Sequence, residues 1–374
     1  MDTGQAISNL SKFVRAMIKD GVRSKKDFNA WKKQEKNIKL MERLFAYKQE
    51  ANMPKINSLV TLDFHPEIPV LLLNYTQVAH MTLFKFPEGW TMPLRQCRGI
   101  IFDFKGNLVA KPFPKFFNYG EHPETTDLPT VGKVETTEKK DGHLGIIFEF
   151  EGKRYITTRG SFTSKTAVLA TKMLRDYEEK GSWDKVFNVD FTILVEIIHP
   201  KTKVYTDYRS FEAFVLIGTY NTKTLKDSSF EHLTLIAKSL KIPLVFVRHK
   251  SVKELIEEMN DPDIKNKEGC VIRFDNGLRV KLKYKNYIGL MVADKLSYKY
   301  LMQRAMSGNL EKMLQTLPEE VYEYAMQMLG KIYLIMLKTS TQKEKWTELY
   351  QLVPEDESTT YYKTICRKFV KQFS

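Results

Sequence analysis

Between residues 58 and 283 the chain is a succession of short apolar runs punctuated by glycine and proline turns, such as Phe86-Pro87-Glu88-Gly89 and Lys105-Gly106-Asn107. Runs of this length, rich in β-branched and aromatic residues and bounded by turn formers, predict strands. They fall at 59–64, 70–75, 81–86, 99–104, 108–111, 145–151, 154–158, 193–198, 211–220, 271–274 and 279–283. Helical spacing intervenes at 164–180, 230–240 and 252–258. Strands and helices do not alternate regularly, so the middle of the chain predicts an α+β domain with mostly antiparallel sheets.

The flanks differ. Residues 1–57 read as a basic helical extension, with Leu10, Phe13, Val14 and Ile18 on one stripe and Phe28, Trp31, Ile38, Met41, Leu44 and Phe45 continuing an apolar face. Lys32, Lys33, Lys36, Lys39, Arg43 and Lys48 dominate the other face, which is either a nucleic-acid contact or a solvated helix surface. After residue 286 the strands stop, and helices are predicted at 288–307, 319–337, 344–352 and 359–373. Pro318 suits a first helical turn, and 308–309 and 354–358 read as loops. Three parts result: 1–57, a central domain over 58–287, and an all-helical C-terminal domain over 288–374.

A formal charge of +14 over 374 residues is the electrostatic footprint of a polyanion binder, with nucleic acid the first candidate. The three cysteines, Cys97, Cys270 and Cys366, have neither metal spacing nor a disulfide framework, which fits a reducing cytosol. No apolar run is long enough to span a bilayer, and the first ten residues lack the pattern of a signal peptide. A cytoplasmic location, or a host cytoplasm for a viral protein, is therefore expected.

Charged groups set in or beside the apolar runs form an ordered series. It starts with Arg98-Gly99-Ile100-Ile101-Phe102, then Lys111-Pro112-Phe113-Pro114-Lys115-Phe116-Phe117-Asn118. Glu138-Lys139-Lys140-Asp141-Gly142 and Arg159-Gly160-Ser161 follow. Taken alone, Asp141-Gly142 between β-formers is a hairpin signal. Next is Glu196, a carboxylate inside the apolar run Ile193–Ile198. Such a group costs several kcal/mol unless it is paired or binds a cation. Glu268-Gly269 precedes the strand carrying Val271, and Val280-Lys281-Leu282-Lys283 closes the series. Strand period puts Lys281 and Lys283 on one face, where two cations repel unless an anion sits between or above them; a phosphate is the natural occupant.

In this order the motifs resemble the covalent nucleotidyltransferase superfamily of ATP-dependent ligases and mRNA capping enzymes. The flanks around Arg98 and Phe117 are similar to the RNA ligase 1 family typified by the phage T4 enzyme, over residues 94–287. The resemblance implies an antiparallel-sheet nucleotidyltransferase (ATP-grasp-like ligase) domain and a helical C-terminal domain. It implies that Lys139 takes AMP covalently from ATP, that AMP passes to an RNA 5′-phosphate, and that an RNA 3′-hydroxyl then displaces it. A lysine attacks as the free amine, which a field of neighbouring cations favours. By strand period Lys140 points away and matters less. Lys281, Lys283 and Lys115 are expected on the phosphates. Glu138, Gly142, Arg98, Phe117 and Arg159 are expected around the nucleotide, with Phe214 and Val271 sandwiching the adenine. Glu196 is expected on the ribose hydroxyls, and Glu268 and Glu196 around Mg2+ or Mn2+, directly or through water. Tyr287 also falls on a family position. Arg159 stands where the family enzyme carries lysine, which keeps the charge and changes its shape to a planar fork.

Implied partners are RNA 5′-phosphate and 3′-hydroxyl ends, such as a broken tRNA or stem-loop, with the protein acting as a monomer. A DNA ligase or capping enzyme is disfavoured by the flanks and by a C-terminus with no predicted β-barrel. A non-catalytic RNA-binding protein is disfavoured by the intact Lys139, Glu196, Glu268, Lys281 and Lys283 set.

Overall fold

The computed structural model describes residues 1–83, 86–128, 134–181, 183–186, 190–315, 317, 319–352 and 360–374. Pro318 and the loop expected at 354–358 lie outside these residues. Two compact units are present, Met1–Tyr284 and Lys285–Ser374.

The first unit opens with helices Thr3–Lys19, Lys25–Trp31 and Glu35–Leu44. Asp2 and Ser24 cap the first two by accepting from the backbone N–H groups of Gln5 and Asp27. Their apolar stripe is core: Leu10, Phe13, Val14, Met17, Phe28 and Phe45 are buried in one cluster with Leu62, Leu71, Leu73, Ile100 and Phe102 of the first sheet. Lys32 of the polar face is tied down, its Nζ donating to Val60 O at 3.3 Å.

Three sheets follow. The first has β1 (Val60–Phe64), β2 (Val70–Tyr75), β3 (Arg98–Asp103) and β4 (Leu108–Ala110) in sequential order, with β2 buried along its whole length. Strands β5 (Phe117–Asn118) and β6 (Val134–Lys139) belong to the five-stranded sheet. Strands β7 (His143–Phe150), β8 (Lys153–Thr158), β9 (Phe191–Ile198) and β10 (Ala213–Asn221) make another, ordered β10-β9-β7-β8. With β11 (Val247–Arg248), β12 (Gly269–Phe274) and β13 (Arg279–Lys283), the five-stranded sheet runs β11-β6-β12-β13-β5. Among these strands the pairings are antiparallel except β13 with β5. The expected α+β class with antiparallel sheets is what the chain adopts.

Central β9 sorts its residues by period two. Ile193, Val195 and Ile197 pack with helices Lys165–Lys180 and Phe230–Leu240, while Leu194 joins the core on the opposite face. Glu196 shares that opposite face.

Two element predictions are corrected. The expected strand at 81–86 is helical in its first two residues, within Gln77–Thr82, which Thr76 caps by accepting from Ala79 N; Phe84 and Lys85 lie outside the described residues. In the second unit, the single helix expected at 288–307 is two, Lys285–Lys295 and Tyr298–Met306. Ser297 divides them: its backbone is extended and its side chain accepts from Tyr300 N at 3.1 Å. The rest of this unit is helical, at Leu310–Leu314, Glu319–Lys338, Gln342–Gln351 and Thr360–Phe373. No helix among the described residues is long and apolar enough to cross a membrane.

Several buried residues break the apolar rule, and Lys111 is the least exposed of the charged ones described. Lys111 is 2% exposed, and its Nζ lies 3.6 Å from the centre of the Tyr220 ring. Burial, reinforced by Arg279, pulls its ammonium down to about 7, against a weaker pull upward from Asp227. A base with a folded pKa below its unfolded value binds its proton less tightly when folded, so its stability contribution rises with pH between the two values. Chemical unfolding of wild type and Lys111→Met from pH 7 to 10 should therefore show the wild type gaining on the variant by about 1 kcal/mol or more. A constant difference would contradict the burial of a titrating ammonium.

Candidate active site

The Lys139–Gly142 stretch is not a hairpin. Lys139 ends β6 in the five-stranded sheet, and His143 begins β7 in the sheet of β7–β10. Lys140, Asp141 and Gly142 are a crossover between two sheets. Asp141 is buried and accepts from the backbone N–H groups of Tyr205 at 2.9 Å and Thr206 at 2.6 Å. Its own N–H donates to Tyr208 Oη at 2.9 Å. At Gly142 a Cβ would stand 2.5 Å from the carbonyl oxygen of Ile197, so only glycine lets the crossover lie against β9.

Register across β6, β12 and β13 stacks the charged residues in rows. Lys139 pairs with Gly269, and Gly269 with Lys283. Thr137, Val271 and Lys281 form the next row, and Glu135, Arg273 and Arg279 the third. Glu268, just before β12, reaches into the first row: Lys139 Nζ donates to its Oε2 at 2.7 Å, and Lys283 Nζ is 3.6 Å from its Oε1. The anion expected beside the strand lysines is thus, at Lys283, a carboxylate of the protein itself.

This face fronts a cavity of about 450 Å3, within the size range of small-molecule sites. The predicted residues Arg98, Glu138, Lys139, Gly142, Arg159, Glu196, Val271 and Lys281 line it. Glu268 joins through its contact with Lys139, and Lys283 through its ion pair with Glu268. Lys140 lines the cavity too, its Nζ 2.9 Å from Glu138 Oε2, because strand periodicity ends at Lys139.

Phe214, Phe117, Lys115 and Tyr287 are not among the lining. Phe214 is buried on the other face of its sheet and stacks on Tyr177 with ring centres 5.1 Å apart. A bulge in β10 between Leu216 and Gly218 re-aims the strand, and Ile217 and Gly218 line the cavity instead. Phe117 is buried and stacks on His122 at 4.2 Å, while its neighbour Phe116 faces the cavity beneath Arg98. Lys115 is buried, with Nζ 3.0 Å from Glu121 Oε1 and 4.4 Å from the Phe117 ring centre. Tyr287 lies in the second unit, buried in helix Lys285–Lys295.

Cations set the electrostatics around Tyr75. Burial raises the Tyr75 hydroxyl, but Arg159, Lys115, Arg98 and Lys281 outweigh it and hold the group down at about 8. Arg159 Nη1 donates to Tyr75 Oη at 3.0 Å. Burial pushes Glu196 up to about 7; Glu268 and Asp141 add to the rise, and Lys139 and Arg98 oppose it. No side chain among the described residues forms an ion pair or hydrogen bond with Glu196. Nor do the described residues include a group of three or more histidine, cysteine, aspartate or glutamate side chains able to hold a metal. A divalent cation here would therefore take most of its ligands from phosphate and water.

Sequence reasoning missed Tyr75, Phe116, Glu135, Ile217, Arg273 and Arg279. Arg273 and Arg279 stand two positions from Val271 and Lys281, so extending the period-two argument by one row would have found them.

A family model described as RNA ligase, of the T4 RNA ligase 1 type, matches residues 96–288. A Thermovibrio ammonificans protein assigned as an RNA ligase is 30% identical over 214 residues, 54% of this chain and 54% of that protein. RNA ligase 1 of Bacteriophage TS2126 is 24% identical over 145 residues, 36% of this chain and 37% of its own. The chain thus matches about half or less of the length of these relatives. Among solved structures, an archaeal ATP-dependent RNA ligase has a TM-score of 0.40 at 15% identity, covering 64% of this chain and 70% of that one. A Naegleria gruberi RNA ligase has a TM-score of 0.34 at 14% identity, covering 41% and 49%. The family model covers just over half of the sequence and contains every row of the cavity face, and on that match the chain belongs to the T4-type RNA ligase family.

Proposed function

We propose that this protein is an ATP-dependent RNA ligase that seals 5′-phosphate and 3′-hydroxyl ends through AMP carried on Lys139. The observation that carries the reading is the position of Lys139 Nζ, held 2.7 Å from Glu268 Oε2 at the rim of a cavity that Arg98, Arg159 and Lys281 make cationic.

In the first step Lys139 Nζ, as the free amine, attacks the α-phosphorus of ATP. An N–P bond forms, the bond to the bridging oxygen breaks, and pyrophosphate leaves. Glu268 is the carboxylate in contact with Nζ and the nearest acceptor for its proton. Phosphoryl transfer needs charge neutralisation and in-line positioning more than acid–base chemistry, which suits Lys281, Arg98 and Arg159 on the phosphates. Next, a 5′-phosphate oxygen of RNA attacks the same phosphorus and releases Lys139. Finally an RNA 3′-hydroxyl attacks the 5′-phosphorus and AMP departs. Glu196 and Glu268 are the carboxylates that would hold Mg2+ or Mn2+, and Glu196, with no ion pair among the described residues, fits that role. Such an ion supplies charge neutralisation on the phosphates. Broken tRNA or stem-loop RNA is the proposed substrate, met in the cytoplasm by a monomer.

Incubation of 5′-phosphorylated RNA with the protein, ATP and Mg2+ should yield sealed RNA and a covalent nucleotide adduct. Lys139→Ala should yield neither, whereas Lys140→Ala should still form the adduct. A wild-type protein without adduct, or a Lys139→Ala variant that forms it, would contradict the reading.

The charge of +14 predicts a second behaviour. RNA binding releases counterions, so sealing should fall with salt more steeply than adduct formation. Equal salt slopes for the two steps would argue against a large electrostatic RNA interface.

A further inference from the structure

We propose that Glu135 selects the nucleobase: its carboxylate accepts a hydrogen bond from the amino group at the edge of adenine and repels a keto oxygen at the same position. This rests on the nucleotide-transfer reading above and deepens it.

The cavity changes character along β6. Near Lys139, five lining cations (Arg98, Lys139, Lys140, Arg159 and Lys281) outnumber two carboxylates, Glu138 and Glu196. Four residues down the strand, about 13 Å away, the third row is balanced: Arg273 and Arg279 face Glu135 and Asp227. A balanced end has no excess charge to hold phosphate. Between the two ends stand Val271 on one sheet and Ile217 on the other, apolar walls that suit the two faces of a flat base.

Most of the third row is committed. Arg273 donates to Asp227 Oδ1 and to the Ser228 carbonyl, each at 3.1 Å. Arg279 pairs with the other Asp227 oxygen and lies 4.2 Å from the centre of the Phe113 ring. Phe113 in turn packs where Gly218 leaves room, since a Cβ there would meet its ring at 2.3 Å. Glu135 is the exception. Its ion pair with Arg273 is 3.7 Å long, beyond hydrogen-bond reach, and its side chain is 32% exposed toward the cavity it lines. It is an acceptor-only group on a fixed strand, facing the space a base edge would fill. Adenine offers an amino donor there and hypoxanthine a keto acceptor, so a carboxylate accepts from the first and repels the second. Losing or reversing a hydrogen bond to a charged group changes selectivity by about tenfold or more.

The test compares initial rates of adduct formation with ATP and with ITP on the same preparation of full-length protein, so that the ratio is independent of the active fraction. Wild type should favour ATP by about tenfold or more. Glu135→Ala should bring the ratio near unity, and Glu135→Gln should move it further toward ITP, because the amide can donate to the keto oxygen. Ratios in both variants equal to the wild-type ratio would overturn the assignment of Glu135 and leave the nucleotide-transfer reading standing. Absence of an adduct with either nucleotide in wild type would overturn both.

Discussion

A single carboxylate organises the site. Glu268 stands between ammonium groups from β6 and β13, touching Lys139 at 2.7 Å and Lys283 at 3.6 Å. Like charges on flanking strands of one sheet repel, and a carboxylate between them turns that repulsion into cohesion. The same contact fixes where Lys139 points. Its geometry follows from register: Gly269 pairs with both Lys139 and Lys283, so the residue before it is the one able to reach both. Gly269 has a φ of 158° and its Cβ position falls 1.9 Å from the Leu282 carbonyl oxygen, so glycine is what allows the three strands to close up there.

The second constraint is the crossover. Lys139 sits where the chain leaves one sheet for another, and the departure is clamped by Asp141 on the backbone of Tyr205 and Thr206 and by Gly142 against β9. The Lys-x-Asp-Gly spacing is therefore a packing solution: a lysine on the last strand residue, a buried carboxylate that anchors the exit, and a residue with no side chain. Glu196 arrives from the facing sheet one residue from the Gly142 contact and lines the same cavity as the lysine.

Much of this was legible in the sequence because strand periodicity is local. The runs 70–75 and 279–283 match β2 and β13 end to end, and Lys281 and Lys283 share a face as their spacing requires. Helices expected at 230–240 and 252–258 form at those positions, each capped by a serine. The failures come from non-local effects. Asp141-Gly142 has the local signature of a hairpin, and only tertiary pairing sends the two strands to different sheets. Phe214 falls at the adenine only by resemblance; it pairs with Ile197 in regular register and shares that residue's buried face. Phe116 and Phe117 are adjacent aromatics, and the choice between them depends on β5 pairing with β13, a contact between residues far apart in sequence. Ser297 splits a helix whose apolar pattern runs straight through it.

The central claim is that the lysine at the exit of β6, and not its neighbour in the crossover, carries the nucleotide. Proteolytic mapping by tandem mass spectrometry, after incubation with ATP and Mg2+, tests it at the level of the residue. The account predicts AMP on Lys139 alone. AMP on Lys140, or on the buried Lys111, would contradict it.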